Sequence, residues 1–214
     1  MPRLHIALGI GIGLVLSVLV LFLMAHKKSV TDKGEEQVRN ALTLRDQAKL
    51  HKHYVATASA KRDQHFETLS DLGRASGVVV IGNVESTNTR LVSSERFIVT
   101  DYTVKLTEVI KGYLRVGQTI TVRKPGGLMN FDDGTSAEVK MAESWPAMNT
   151  TSKYVLFLSA KPDFTFSIVG GPQGLLEMKG TVLTHPLSQE GLKQDQKSSQ
   201  LSSINDVRRN LRNQ

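Results

Sequence analysis

The chain opens on an apolar run, Leu4 to Ala25, interrupted by nothing more polar than His5 and Ser17. As a helix rising about 1.5 Å per residue, the run covers roughly 30 Å, the hydrocarbon thickness of a bilayer. A single transmembrane helix is therefore expected within residues 1–28. From about Glu35 to Val55 strong helix formers follow without proline, and Val38, Ala41, Ala48 and Val55 approach heptad spacing. Arg45 and Lys52 break that seam, so the pattern predicts a helical stalk over 29–65 rather than a coiled coil. Phe66, Leu69 and Leu72 then mark one face of a short helix ending at Gly73.

After Ser76 the period changes from helical to alternating. Gly77 to Val84 is a compact β-branched run, and in Phe97 to Ile110 the residues Ile98, Thr100, Tyr102, Val104 and Leu106 share one face. The alternation slips at Val109 and Ile110, which predicts a bulge or a strand end. Further strands are predicted at Gln118–Arg123, Ala137–Met141, Tyr154–Ser159, Phe164–Val169, Leu175–Lys179 and Thr181–Thr184, separated by Gly, Pro and Asp turns. Tyr154–Ser159 is apolar on both faces, so it should be covered from both sides. Short strands without intervening helices predict a mainly β unit over 66–186, a small barrel or sandwich. In the tail, 187–214, Ser203 and Asp206 form a capping-box pattern ahead of an Ile204, Val207 and Leu211 stripe, and a short C-terminal helix should dock back on the strands.

The apolar run is longer than the usual secretory core, and its exit, Phe22-Leu23-Met24-Ala25-His26-Lys27-Lys28, offers a poor cleavage site. A retained anchor is favoured over a cleaved leader. That places the chain in a cell membrane with one crossing and its C-terminal unit outside the cytoplasm. Arg3 on one flank and Lys27, Lys28 and Lys33 on the other weigh slightly against that orientation. Gly9, Gly13 and Ser17 recur every four residues and could let a second helix approach closely, giving a homodimer through the membrane span.

Charge changes the picture little. The chain has 27 Lys and Arg against 20 Asp and Glu, net +7. Between His26 and His65 the count is nine against five, which suits anionic headgroups or envelope polymers as well as nucleic acid. There is no cysteine. Lipoprotein acylation and disulfide stapling are thereby excluded, and the β unit must stand on packing.

No group of residues assembles a reaction, so no catalytic residue, cofactor or metal is expected. His51 and His53 point to different faces of the predicted helix, and Asp132-Asp133-Gly134 lacks the later ligands of a calcium loop. Trp145, the only tryptophan, precedes Pro146 in a loop, where it could anchor a partner or lie as a lid over a barrel end. Asn149-Thr150-Thr151 is a glycosylation sequon, relevant only in a eukaryotic secretory pathway. Arg123, Lys124 and Lys140, with Trp145, are the candidate partner contacts. Tyr102, Tyr154, Phe157, Phe164 and Phe166 are expected in the core, which leaves an aromatic nucleic-acid face poorly equipped and disfavours that partner.

The segments SGVVVIGNV, TDYTVKLTEVIKG, GQTITVRKPGG, KYVLFLSA and VGGPQGLLEMKG resemble a bacterial domain found behind signal peptides or membrane anchors, whose strands read VVxGxV, YTVxVxEVxKG and YLLFL. That domain in turn is similar to the netrin-like, tissue-inhibitor-of-metalloproteinase type of OB barrel, over roughly Leu69 to Leu183. The resemblance implies close strand approach at Gly82 and corners at Gly112 and Gly127. Inhibitors of that fold act through an amino-terminal cysteine ridge, which is missing here. The resulting expectation is a membrane-anchored binding or accessory module for a protein or envelope polymer. An OB-type binder of nucleic acid or another anionic polymer is the alternative.

Overall fold

The computed structural model describes residues 42–59, 65–142, 145–184 and 203–212. The predicted membrane helix, with Gly9, Gly13 and Ser17, lies outside them, as does the stalk up to residue 41. Among the described residues no helix is long and apolar enough to cross a membrane. The chain divides into a unit up to Thr43 and a compact unit from Leu44 to Gln214. Everything below concerns the second.

This unit is mainly β, with α1 (Leu44–His51), β1 (His53–Ala58), α2 (Leu69–Ala75), β2 (Val78–Val92), β3 (Phe97–Lys111), β4 (Thr119–Pro125), β5 (Gly127–Asn130), β6 (Ser136–Met141), β7 (Lys153–Ala160), β8 (Phe166–Ile168), β9 (Leu175–Lys179), β10 (Val182–Thr184) and α3 (Ile204–Arg212). The large sheet runs β10-β9-β7-β2-β3-β4-β8, and β8 also pairs with β7, so β7, β2, β3, β4 and β8 close into a ring. β1-β6-β5 form a separate small sheet in which β1 runs parallel to β6.

Two cores share the walls of the ring. Inside it lie Val78, Val80, Val104, Leu106, Val122, Leu156 and Leu158. On the outer side of β2, β7 and β9, Val79, Ile81, Val155 and Phe157 pack beneath Leu72 of α2 and Ile204, Val207 and Leu211 of α3. Burial on both faces explains why Val78–Ile81 and Tyr154–Leu158 are continuously apolar. The slip predicted at Val109 and Ile110 is a bulge: Val79 faces Lys111 and Val80 faces Val109, with Ile110 skipped. The extra residue sends Val109 to the ring interior and Ile110 to the helix-covered core.

Local chemistry fixes both covering helices. Thr68 caps α2 by accepting from the Asp71 N–H at 3.1 Å, and at α3 the Asp206 carboxylate accepts from the Ser203 N–H at 2.9 Å, the capping box read in the sequence. The helices meet where Gly73 leaves room for Leu211, whose Cδ2 would lie 2.1 Å from any Cβ there.

The predicted helix to Val55 is corrected. α1 stops at His51, Lys52 turns the chain with φ 62°, and His53–Ala58 becomes a strand with Tyr54, Ala56 and Ala58 turned inward. Helix propensity in this stretch is weak against a full parallel ladder with β6. From Leu44 on, the expected stalk is therefore part of the folded unit: Leu44 and Ala48 pack with Ile98, Phe131, Ala137 and Val139 in a third core, reached by the far half of the β2–β3 hairpin. β5 is a further strand not expected from the sequence, and β2 continues eight residues beyond Val84.

Candidate functional site

The register orients the ring. β8 runs parallel to β4 with Phe166 opposite Val122, and β7 is antiparallel to both β2 and β8. One end therefore carries the β3–β4 loop, residues 112–118, and the β7–β8 turn, residues 161–165. The other end carries the segment 145–152 before β7, together with the last residues of β4.

That second end is closed. Ile120, Val122 and Lys124 share the inner face of β4, so Lys124 is buried at 7% exposure instead of offering a surface charge. Its Nζ donates to the carbonyls of Trp145 at 3.2 Å and Pro146 at 3.0 Å and lies 5.9 Å from the Tyr102 ring centre. Trp145 packs against the ring interior as a lid, with its indole N–H buried and, among the described residues, without an acceptor. Met148 is buried beneath the same segment, and the Asn149 N–H donates to the Tyr154 hydroxyl at 2.9 Å.

Burial pushes the Lys124 ammonium down to about 8. Between that value and the ordinary lysine pKa of about 10.4, the unfolded chain holds a proton the folded chain has lost, so folding stability rises with pH across the window. Denaturation midpoints measured at both ends of the window should show a rise in the native protein that Lys124→Met flattens.

The first end is open only in the sense that its loops hold apolar side chains out in solvent. Leu114 of the β3–β4 loop packs on the ring interior, but Tyr113 and Val116 beside it are 71% and 65% exposed. Phe164, in the β7–β8 turn, is 92% exposed. This corrects the expectation that Phe164 serves the core: β8 begins at Phe166, and Phe164 belongs to the turn. Its φ is 60°, and among the described residues it is the one aromatic in the left-handed region. Such a conformation is costly for a bulky side chain and persists only where the surroundings impose it.

The surroundings do impose it. The Lys161 N–H donates to the Thr165 carbonyl at 2.8 Å and the Phe164 N–H to the Lys161 carbonyl at 3.1 Å, closing the turn. Asp163 accepts from the Thr165 hydroxyl at 2.7 Å and from Arg123 Nη1 at 2.5 Å. Arg123 also grips Asp101, directly opposite it on β3, through Nε at 2.7 Å and Nη2 at 3.1 Å, and Arg90 reaches the same carboxylate at 3.0 Å. The Thr165 hydroxyl, then Arg123, hold the Asp163 carboxyl down at about 2. At Asp101 burial raises the pKa, but the hydrogen bonds from Arg123 and Arg90 outweigh it and the net shift is downward. Arg123 is pushed further up by its bonds to Asp101.

The basic candidates are not brought together. Lys124 is inside the ring, Arg123 outside it and neutralised by two aspartates, and Lys140 sits on the small sheet, 3.6 Å from Glu138. The exposed cations at the open end are instead Arg115 and Lys161, and among the described residues neither pairs with a carboxylate. Sequence reading missed Tyr113, Val116 and Phe164. The PDF and VGQ stretches around them look like ordinary turns, and only the register joins them.

The remaining candidates are structural. Asp133 accepts from the Thr135 N–H at 3.0 Å and its hydroxyl at 2.6 Å, which makes an acidic turn. His51 stacks on Tyr54, and His53 Nδ1 lies 2.7 Å from the Ser136 hydroxyl, its cross-strand neighbour on the exposed face of the small sheet. Comparison with protein-family models and with curated proteins finds no match to this chain.

Proposed function

We propose that the chain is a single-pass, membrane-held binding or accessory module, extracytoplasmic and without catalysis of its own, whose contact surface is the open end of the ring. The ring itself is read as a small barrel of the OB, netrin-like type, since OB barrels are built of five strands. Fold analogy supplies no activity. The observation that carries the reading is Phe164: an aromatic held almost fully in solvent, in a strained conformation, by a turn tied to three strands through Asp163, Arg123, Asp101 and Arg90. Exposed aromatics at rigid positions are what interfaces use as anchors.

The alternative, an anionic-polymer or nucleic-acid binder, draws support from Arg115 and Lys161 beside Tyr113 and Phe164. The loss of Lys124 to the interior and of Arg123 to its carboxylates weighs against it. Replacing Phe164 with benzoylphenylalanine in cells that make the full chain, followed by irradiation, tests the reading. An adduct, detected as a mass shift of the peptide carrying residue 164, is expected there and not at Leu128, which is 49% exposed on the small sheet. Equal yields at both positions, or none at 164, would refute it.

A further inference from the structure

Resting on that reading, we propose that the occupant of the open ring end is an anionic lipid surface, with Tyr113, Val116 and Phe164 entering the interface and Arg115 and Lys161 meeting the headgroups. The three apolar side chains stand on two separate turns at one end of the ring, 71%, 65% and 92% exposed. Side chains at tips suit a deformable, planar partner that admits each one independently. Aromatic rings favour the headgroup level.

Charge chooses the lipid class. The exposed cations of this end, Arg115 and Lys161, have no carboxylate partner among the described residues, while Asp163 is taken up by Arg123 and Thr165. Basic residues beside a bilayer are attracted by anionic headgroups. The contrast within the same molecule is the small sheet, where the exposed Val55 and Leu128 both lie opposite Glu138. Glu138 is itself paired with Lys140, so these two side chains stand beside a neutral ion pair and not beside an unpaired cation.

Reach is no obstacle. The compact unit begins at Leu44, whose N–H donates to the Glu95 carbonyl at the tip of the β2–β3 hairpin. Residues 26–43, between the apolar run and Leu44, extend to at most about 60 Å. A 15-residue strand such as β3 measures about 50 Å.

The absence of cysteine from the chain makes the test clean. The full chain carrying Val116→Cys, labelled with a polarity-sensitive nitrobenzoxadiazole dye, is reconstituted in phosphatidylcholine vesicles with or without phosphatidylglycerol, with doxyl-labelled lipid as quencher. A blue shift and quenching are expected only with phosphatidylglycerol, fading as salt is raised. They should fall several-fold in the background Phe164→Ser, while a dye at Leu128→Cys stays water-like throughout. A Val116 dye that stays water-like on phosphatidylglycerol, or responds no more than the Leu128 dye, overturns the proposal. A photo-adduct between residue 164 and a protein in that event would preserve the binding-module reading and identify a protein as the occupant. A carbonate wash that releases the chain would instead refute the membrane anchor, separately from either result.

Discussion

Phe157→Ala is expected to cost about 3 to 5 kcal/mol of folding stability, the range for emptying a large aromatic from a packed core. Phe157 is fully buried in the middle of β7 and projects into the core covered by α2 and α3, with Leu72, Ile204 and Leu211 among its neighbours. The adjacent Leu156 and Leu158 project to the opposite side, into the ring. The cavity would therefore open between the sheet and the two helices that cover it. Lys153→Ala, at the start of the same strand, should change stability by no more than about 0.5 kcal/mol. Chemical denaturation of residues 44–214 with each substitution checks both, and equal small losses would mean that the helices do not cover β7.

Gly82→Ala is the second large effect. A Cβ at this position would lie 2.5 Å from Val104 Cγ1 and 2.8 Å from the Lys105 carbonyl oxygen. Gly82 is a buried position on β2 opposite Leu106, beside a register shift. Both obstacles are on the paired strand, and one is backbone, so rotamer adjustment cannot relieve the contact. The ladder itself must open. Overpacking costs about 1 to 3 kcal/mol, and the upper part of that range or loss of cooperative folding is expected here. Gly73→Ala should cost less, because its obstacle is the flexible end of Leu211. A Gly82→Ala protein as stable as the native one would show that the two strands are not as closely paired as described.

Wherever the deciding signal was local or periodic, the fold could be read from the chain. The two faces of Tyr154–Ser159, the slip at Val109 and Ile110 and the Ser203–Asp206 cap all come from spacing along one strand or one helix turn, and each is present; the close approach at Gly82, which the family resemblance implied, is present too. What was misread depended on partners far away in sequence. His53–Ala58 becomes a strand because residues 136–141 lie beside it, a pairing that no local propensity announces. Lys124 reads as a surface charge at a strand end, yet the ring closes around it and the 145–146 carbonyls satisfy its ammonium. Phe164 reads as the first apolar residue of a strand, although the Asp163–Thr165 turn places it one step outside the ladder. The candidate site was invisible for the same reason: its two loops are some 40 residues apart, and only the pairing of β8 with β4 and β7 puts them at one end.

The central claim is that Phe164 is kept for contact and not for folding, and equilibrium denaturation of Phe164→Gly beside the native unit tests it most directly. A left-handed residue other than glycine costs roughly 1 to 2 kcal/mol, and the extra backbone freedom of glycine in the unfolded chain takes back about 0.5 to 1 kcal/mol. Phe164 is 92% exposed and forfeits almost no packing when removed. The glycine variant should therefore be as stable as the native unit or more stable, by up to about 1.5 kcal/mol. A loss of more than about 1 kcal/mol would contradict the claim, since it would mean that the ring depends on the Phe164 side chain.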